Sequence, residues 1–248
     1  MNPLLPFLMA GDPSLEALPG FLSTLKRCGL PAVEIGIPHS DPIADGPVLQ
    51  AAANRAINRG VTTVGVLKTL AGLTDSPDIV LFTYFNSLLQ IGTEQLLQLL
   101  KPTPVMALLV VDLPAQEEPE WESTLRIAGY PLIPLLAPTT TLERAQELLE
   151  SRPDPGPSAP FALRFAYVVA RLGVTGTASA TDFAPVRARV TALQAITNRP
   201  LAVGFGLSDV ESLRIVRSLG ATPVVGSALV LALAEGRDLD HALARRMT

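Results

Sequence analysis

The chain has 248 residues, 48% of them hydrophobic and 17% charged, which is enough apolar material for one large α/β core. Its formal net charge of −4 offers no basic footprint and argues against nucleic acid as a partner. A single cysteine, Cys28, rules out an intramolecular disulfide and fits a cytoplasmic location, and the lack of any run of about twenty apolar residues argues against a membrane span.

The opening Met1-Asn-Pro-Leu-Leu-Pro6 carries none of the positive charge of a signal peptide. A first apolar strand is expected over 4–9, then a helix over 15–28, stopped by Gly29 and carrying Cys28 as a packed thiol near its end. The second strand, over 33–37, holds one carboxylate, Glu34, between Val33 and Ile35. An acid in an apolar strand is unfavourable unless it is paired, protonated or functional. The chain then breaks into Pro38-His-Ser-Asp-Pro-Ile-Ala-Asp-Gly-Pro47, whose Asp45 is a second carboxylate, before a helix over 47–58. A carboxylate on a strand and another on the following loop are raw material for general acid–base chemistry.

Strands over 79–84, 105–111 and 132–136 follow, interleaved with helices over 93–100, 120–127 and 142–151. Thr141 reads as a helix cap and Gly129 as a helix stop. The run Arg152-Pro-Asp-Pro-Gly-Pro-Ser-Ala-Pro160 is too rich in proline for regular helix and reads as an exposed loop, not a domain linker. The last third contains strands over 165–169, 201–203 and 223–225. Its helices are expected over 183–197, 208–219 and 239–247, with Ser208 and Glu211 fitting a capping box and Gly220 a stop. His39 and His241 have no partner at metal-ligand spacing, so no metal site is expected.

Eight strand–helix units in a chain of this length are the count of a single TIM (β/α)8 barrel, one domain over 1–248; a doubly wound open sheet is the alternative. In a barrel the site lies at the C-terminal strand ends. Three glycine clusters fall there: Arg171-Leu-Gly-Val-Thr-Gly-Thr177, Gly204-Phe-Gly206, and Gly226-Ser-Ala228, the last opening a short apolar helix. Glycines at such ends let backbone N–H groups approach an anion, and a helix start adds a favourable dipole, so together they read as a phosphate cradle.

These motifs carry a resemblance. Val33–Gln50 resembles the signature E-[LIV]-G-x-P-[FY]-S-D-P-x-A-D-G-P-x-I-Q of the tryptophan synthase alpha chain family, with His39 in place of the usual Phe or Tyr. Pro6–Ser14 resembles the family's P-[FY]-[LV]-T-A-G-[DF]-P-[ST], with Met9 for Thr. Thr83–Ser87 resembles [TM]-Y-x-N-P, Val111–Pro114 resembles [AP]-D-[LV]-P, and Leu136–Thr140 resembles the end of the family's fifth strand. The glycine clusters match its G-V-T-G, G-F-G and G-S-A, so the likeness runs in order along nearly the whole chain.

The resemblance implies a barrel lyase that splits indole-3-glycerol phosphate by retro-aldol cleavage, with Glu34 and Asp45 as the catalytic pair. It also implies substrate contacts at Tyr167, Thr175, Gly176, Phe205, Gly206, Gly226 and Ser227. It implies a beta chain partner in an α2β2 heterotetramer, met at Asp41, Pro42 and Asn86. Pyridoxal phosphate is then expected in that partner only, and no cofactor in this chain. Two departures stand out. Ala170 replaces a family serine, and only Met1–Leu5 stands where the family has an extra helix covering the barrel bottom, so exposed apolar surface is expected there. Two rival readings remain: a non-catalytic alpha-like subunit that only activates a beta chain, and another phosphate-binding barrel enzyme. Having both Glu34 and Asp45 argues against the first. A Schiff-base aldolase needs a lysine at a strand end, and Lys26, Lys68 and Lys101 all fall on helix patterns or helix ends.

Overall fold

A computed structural model describes residues 4–170, 183–204 and 209–247. In chain order the elements are β1 (Leu5–Met9), α1 (Leu18–Arg27), β2 (Ala32–Gly36), α2 (Pro47–Asn58), α3 (Thr63–Leu70), β3 (Asp78–Thr83), α4 (Phe85–Leu89), α5 (Thr93–Leu100), β4 (Val105–Val110) and α6 (Pro119–Ile127). They continue with β5 (Leu135–Leu136), α7 (Leu142–Ser151), α8 (Phe161–Arg164), β6 (Ala166–Val169), α9 (Ala184–Gln194), β7 (Leu201–Gly204), α10 (Val210–Ser218), β8 (Thr222–Val225), α11 (Ser227–Ala234) and α12 (Leu239–Met247).

The strands are parallel and lie in the order β4-β3-β2-β1-β8-β7-β6-β5. The two ends of this sheet meet through a parallel bridge between Leu108 and Leu132, where Leu108 N–H donates to the Pro131 carbonyl (3.1 Å) and Ile133 N–H to the Leu108 carbonyl (2.8 Å). Strands adjacent in sequence are adjacent in space and the ladder closes, which is the TIM barrel and not the reversed order of a doubly wound sheet. β5 is only two residues long because Pro131 and Pro134 bring no N–H to the ladder. The Pro134 carbonyl still accepts from Tyr167 N–H at 2.8 Å.

Each strand divides its side chains between two apolar layers, as a period of two requires. Leu8, Val33, Ile35, Leu81, Val168 and Val203 pack outward among the helices. Leu5, Phe7, Met9, Ala32, Val80, Phe82, Leu109, Tyr167 and Val224 fill the barrel. Glu34 stands two residues from inward Ala32, between outward Val33 and Ile35, so it faces the barrel interior.

Several helices start where side chains cap them. The hydroxyls of Thr62 and Thr141 accept from Gly65 N–H (3.1 Å) and Arg144 N–H (3.2 Å). α10 is capped by Asp209, which accepts from Ser212 N–H at 2.8 Å, in place of the expected box; Ser208 lies outside the described residues. α1 begins at Leu18, later than expected, because Pro19 is tolerated only in a first turn. α3, α4 and α8 are additions to the expected elements.

α8 changes the reading of the barrel bottom. It precedes β6, so it lies at the N-terminal strand ends, and it packs against β2, β3 and β4. Ala162 and Phe165 are fully buried in the inner layer, and Phe161 stacks on Phe165 at 5.2 Å. Apolar surface expected to be open is therefore covered by this plug. The preceding 153–160 loop is largely exposed, as expected, but both of its ends are pinned. Buried Arg152 makes two bonds to Glu122 (2.9 and 2.8 Å) and donates to the Ile133 carbonyl. Buried Arg199 donates to the carbonyls of Arg164 (2.7 Å) and Arg152.

Because Phe165 is wholly enclosed, Phe165→Ala is expected to destabilise the fold by about 3–5 kcal/mol. Urea unfolding measures it. A loss under about 1 kcal/mol would mean that the plug is not part of the cooperative fold.

Candidate active site

Glu34 is fully buried on β2, paired in register with Phe7 on β1 and Val80 on β3. Neither carboxyl oxygen has a hydrogen-bond partner among the described residues. Burial among apolar groups pushes this carboxyl well above the usual carboxylate range, since the charged form loses its water. Its neighbourhood is shaped by missing side chains. A Cβ on Gly36 would overlap the Phe7 ring, and a Cβ on Gly204 would overlap the Tyr167 hydroxyl. Glycine at these two strand positions is what admits the rings, and Phe7 meets Phe82 edge-on at 5.3 Å.

Tyr167 stands on β6, buried, between Leu135 and Ala202 in register. Its hydroxyl is pushed well above its ordinary value by burial first, then by the nearby charges of Glu34 and Asp45. Both carboxylates therefore act on one phenol, and the three expected residues gather around the same interior space.

Asp45 is 4% exposed at the end of the β2–α2 loop, and its Oδ1 has no partner among the described residues. Burial raises its pKa to about 7. Near neutral pH it thus divides between acid and carboxylate. Local bonds hold the loop in shape: Asp45 N–H donates to the Pro42 carbonyl (3.0 Å), and the Gln50 side-chain amide donates to the Asp45 carbonyl (2.8 Å). Tyr84, at the end of β3, accepts from Ala44 N–H at 3.0 Å. Asp112, after β4, accepts from Phe85 N–H at 2.7 Å and fixes the start of α4. Buried Asp12, after β1, binds Arg55 of α2 through two bonds (2.8 and 2.7 Å), which ties the helix following the loop to the barrel. Roles for Tyr84, Phe7 and Gly36 were not expected from the sequence, and Gly204, expected in a phosphate-binding cluster, instead leaves room for the Tyr167 ring. Only the overlap of rings on bare backbone reveals the glycines.

Gly226 caps α11 directly after β8, and a side chain there would press on Phe7, with its Cβ at 3.3 Å. Ser227 is the first residue of α11. Thr175, Gly176, Phe205 and Gly206 lie outside the described residues. Asp41 and Asn86 are exposed and Pro42 is half-buried, on the two segments expected to meet a partner. Two large apolar side chains are exposed nearby, Ile43 (76%) on the same loop as Asp41 and Leu89 (59%) at the end of α4, the helix that holds Asn86. No sequence pattern separates these from core residues.

A family model described as tryptophan synthase alpha chain matches residues 1–248. The tryptophan synthase alpha chain of Gloeobacter violaceus is 42% identical over 233 residues, covering 93% of this chain and 80% of that protein. A mutant tryptophan synthase alpha-subunit from Pyrococcus furiosus has a similar structure, with TM-score 0.83 and 29% identity over 99% of this chain and 98% of that one. A chain of the Pyrococcus furiosus tryptophan synthase α2β2 complex is similar to the same degree, with TM-score 0.83 and 30% identity over 99% and 95%.

The burial of Glu34 has a consequence for stability. A carboxyl with a raised folded value keeps its proton in the fold, so its contribution is fully present below the unfolded value of about 4.3 and is lost as pH rises through the folded one. Glu34→Gln is expected to leave stability near wild type at about pH 4 and to raise Tm by roughly 2–4 °C at about pH 8, the shift that about 1 kcal/mol gives in a domain of this size. Thermal unfolding at both pH values measures it. The same difference at both would contradict the buried, partnerless state.

Proposed function

The chain belongs to the tryptophan synthase alpha chain family, and on that premise we propose that Glu34 and Asp45 carry out its lyase reaction, the cleavage of indole-3-glycerol phosphate to indole and glyceraldehyde 3-phosphate. The observation that carries the assignment is a pair of buried carboxyl groups that both act on one tyrosine, with both oxygens of Glu34 and Oδ1 of Asp45 lacking a hydrogen-bond partner among the described residues. The rivals, a non-catalytic subunit or another barrel enzyme, give no reason to keep two such groups in the barrel mouth.

Glu34 begins as the acid, the form its apolar setting favours. It gives its proton to the indole ring carbon that bears the side chain. The ring becomes an indolenine cation, whose N–H bonds to ionised Asp45. The carboxylate left on Glu34 takes the proton of the adjacent glycerol hydroxyl. The oxygen lone pair forms the aldehyde carbonyl, the carbon–carbon bond breaks, and its electron pair returns to the ring as indole. Protons and electrons balance, with Glu34 ending protonated again.

In this reading Tyr167 lines the indole pocket beside Phe205. Thr175, Gly176, Gly206, Gly226 and Ser227 hold the phosphate at the late strand ends, with α11 offering its N-terminal dipole. The barrel acts as one unit over the chain and needs no cofactor of its own. The indole passes to a beta chain that carries pyridoxal phosphate, in the cytoplasm. Asp41, Pro42 and Asn86 meet that partner, with exposed Ile43 and Leu89 supplying apolar contact. Among the described residues no helix is long and apolar enough to cross a membrane.

The test is indole release from indole-3-glycerol phosphate, with and without a beta chain. Wild type is expected to be active, and Glu34→Gln to lose ~10²–10⁴ in turnover. More than about a tenth of wild-type turnover in the variant would remove Glu34 from the mechanism.

A further inference from the structure

Two places where this chain departs from its family's motifs touch each other. His39 stands where E-[LIV]-G-x-P-[FY]-S-D-P has a carbocyclic aromatic, and Ser87 stands where [TM]-Y-x-N-P has proline. Forty-eight positions apart in sequence, His39 Nδ1 and Ser87 Oγ lie 3.1 Å apart and share a hydrogen bond. A phenyl ring at 39 would offer Ser87 nothing, and proline at 87 would offer His39 nothing.

The contact lies on the route that holds Asp45. The His39 ring stacks on Tyr84, with centroids 4.6 Å apart and planes within 14°. The Tyr84 hydroxyl accepts from Ala44 N–H, the amide next to Asp45. Ser87 lies in the first turn of α4, where its own N–H donates to the Tyr84 carbonyl at 3.1 Å. His39 is therefore gripped on one face by Tyr84 and at its edge by Ser87. Tyr84 is in turn clamped between the base of the loop and its far end. Asp41, Ile43 and Ala44 are exposed.

We propose that the His39–Ser87 hydrogen bond is a latch that keeps the Asp45 loop seated on Tyr84, making both side chains positioning residues for the cleavage reaction. The part of this that concerns catalysis rests on the lyase reading given above; the part that concerns the loop does not. Neither residue touches the reacting atoms. Losing the latch lets the loop lift, which takes Asp45 away from the ring nitrogen in the transition state while leaving phosphate contacts intact.

The experiment is a two-residue cycle on the full-length chain: His39→Phe, which keeps the stack on Tyr84 and deletes the bond; Ser87→Ala; and both together. Hydrogen exchange of the Ala44 amide is read beside steady-state cleavage. Each single variant is expected to lower kcat about three- to ten-fold, the range one net hydrogen bond supplies, with KM within about two-fold. The double variant is expected to be no worse than the poorer single one, because both changes remove the same bond. Ala44 exchange is expected to quicken by a similar factor in all three. Losses that multiply in the double variant, or unchanged Ala44 exchange in the singles, would overturn the latch. An inactive wild type would instead overturn the lyase reading, with the exchange data still deciding the latch.

Discussion

A carboxyl group enclosed by apolar side chains is an unfavourable thing to fold, and Glu34, with no hydrogen-bond partner among the described residues, imposes that condition on the middle of this barrel. The surrounding architecture follows from it. Phe7 and Val80 flank it in register, Phe82 packs edge-on against Phe7, and Tyr167 closes the opposite side. These rings fit only because Gly36 and Gly204 leave backbone bare beneath them. The dryness that makes Glu34 unfavourable also favours its protonated form, and a general acid needs that proton. The outer layer of Leu, Ile and Val between strands and helices supplies the stability that offsets it.

The fold divides the work between rigid and adjustable parts. Strands hold Glu34 and Tyr167, so their relative position is set by the ladder. Asp45 sits on a loop whose geometry depends on a few side-chain contacts, chiefly Tyr84 and the pair behind it. At the other end of the barrel, α8 packs into the inner layer and the arginines anchor its flanks.

Much of this was legible in the sequence, and the reasons are local. Continuous apolar runs bounded by glycine and proline mark buried parallel strands, and α2, α5, α7 and α12 begin and end where their patterns predict. Glu34 stood out as the one acid in such a run, and Asp45 as the acid on the next loop. Elements set by tertiary contact were hidden. α3 reads Thr-Val-Gly-Val at its start, which suits a strand better, and becomes helix through the Thr62 cap and burial of Val66, Leu67 and Leu70. α8 is only four residues long and is held by barrel residues far away in sequence. The role of Tyr84 depends on a contact across the β2–α2 loop, and the exposure of Ile43 and Leu89 depends on which surfaces are left after folding. No period or motif encodes either.

The barrel denies the charged form of Glu34 water, which favours the neutral acid. Carbon-13 NMR of the protein labelled at the glutamate side-chain carboxyl tests this directly, with the Glu34 signal assigned by its loss in Glu34→Gln. The signal is expected to stay at the protonated position through neutral pH while the surface glutamates titrate near their usual value of about 4.3. A Glu34 signal that titrates together with the surface glutamates would contradict the account.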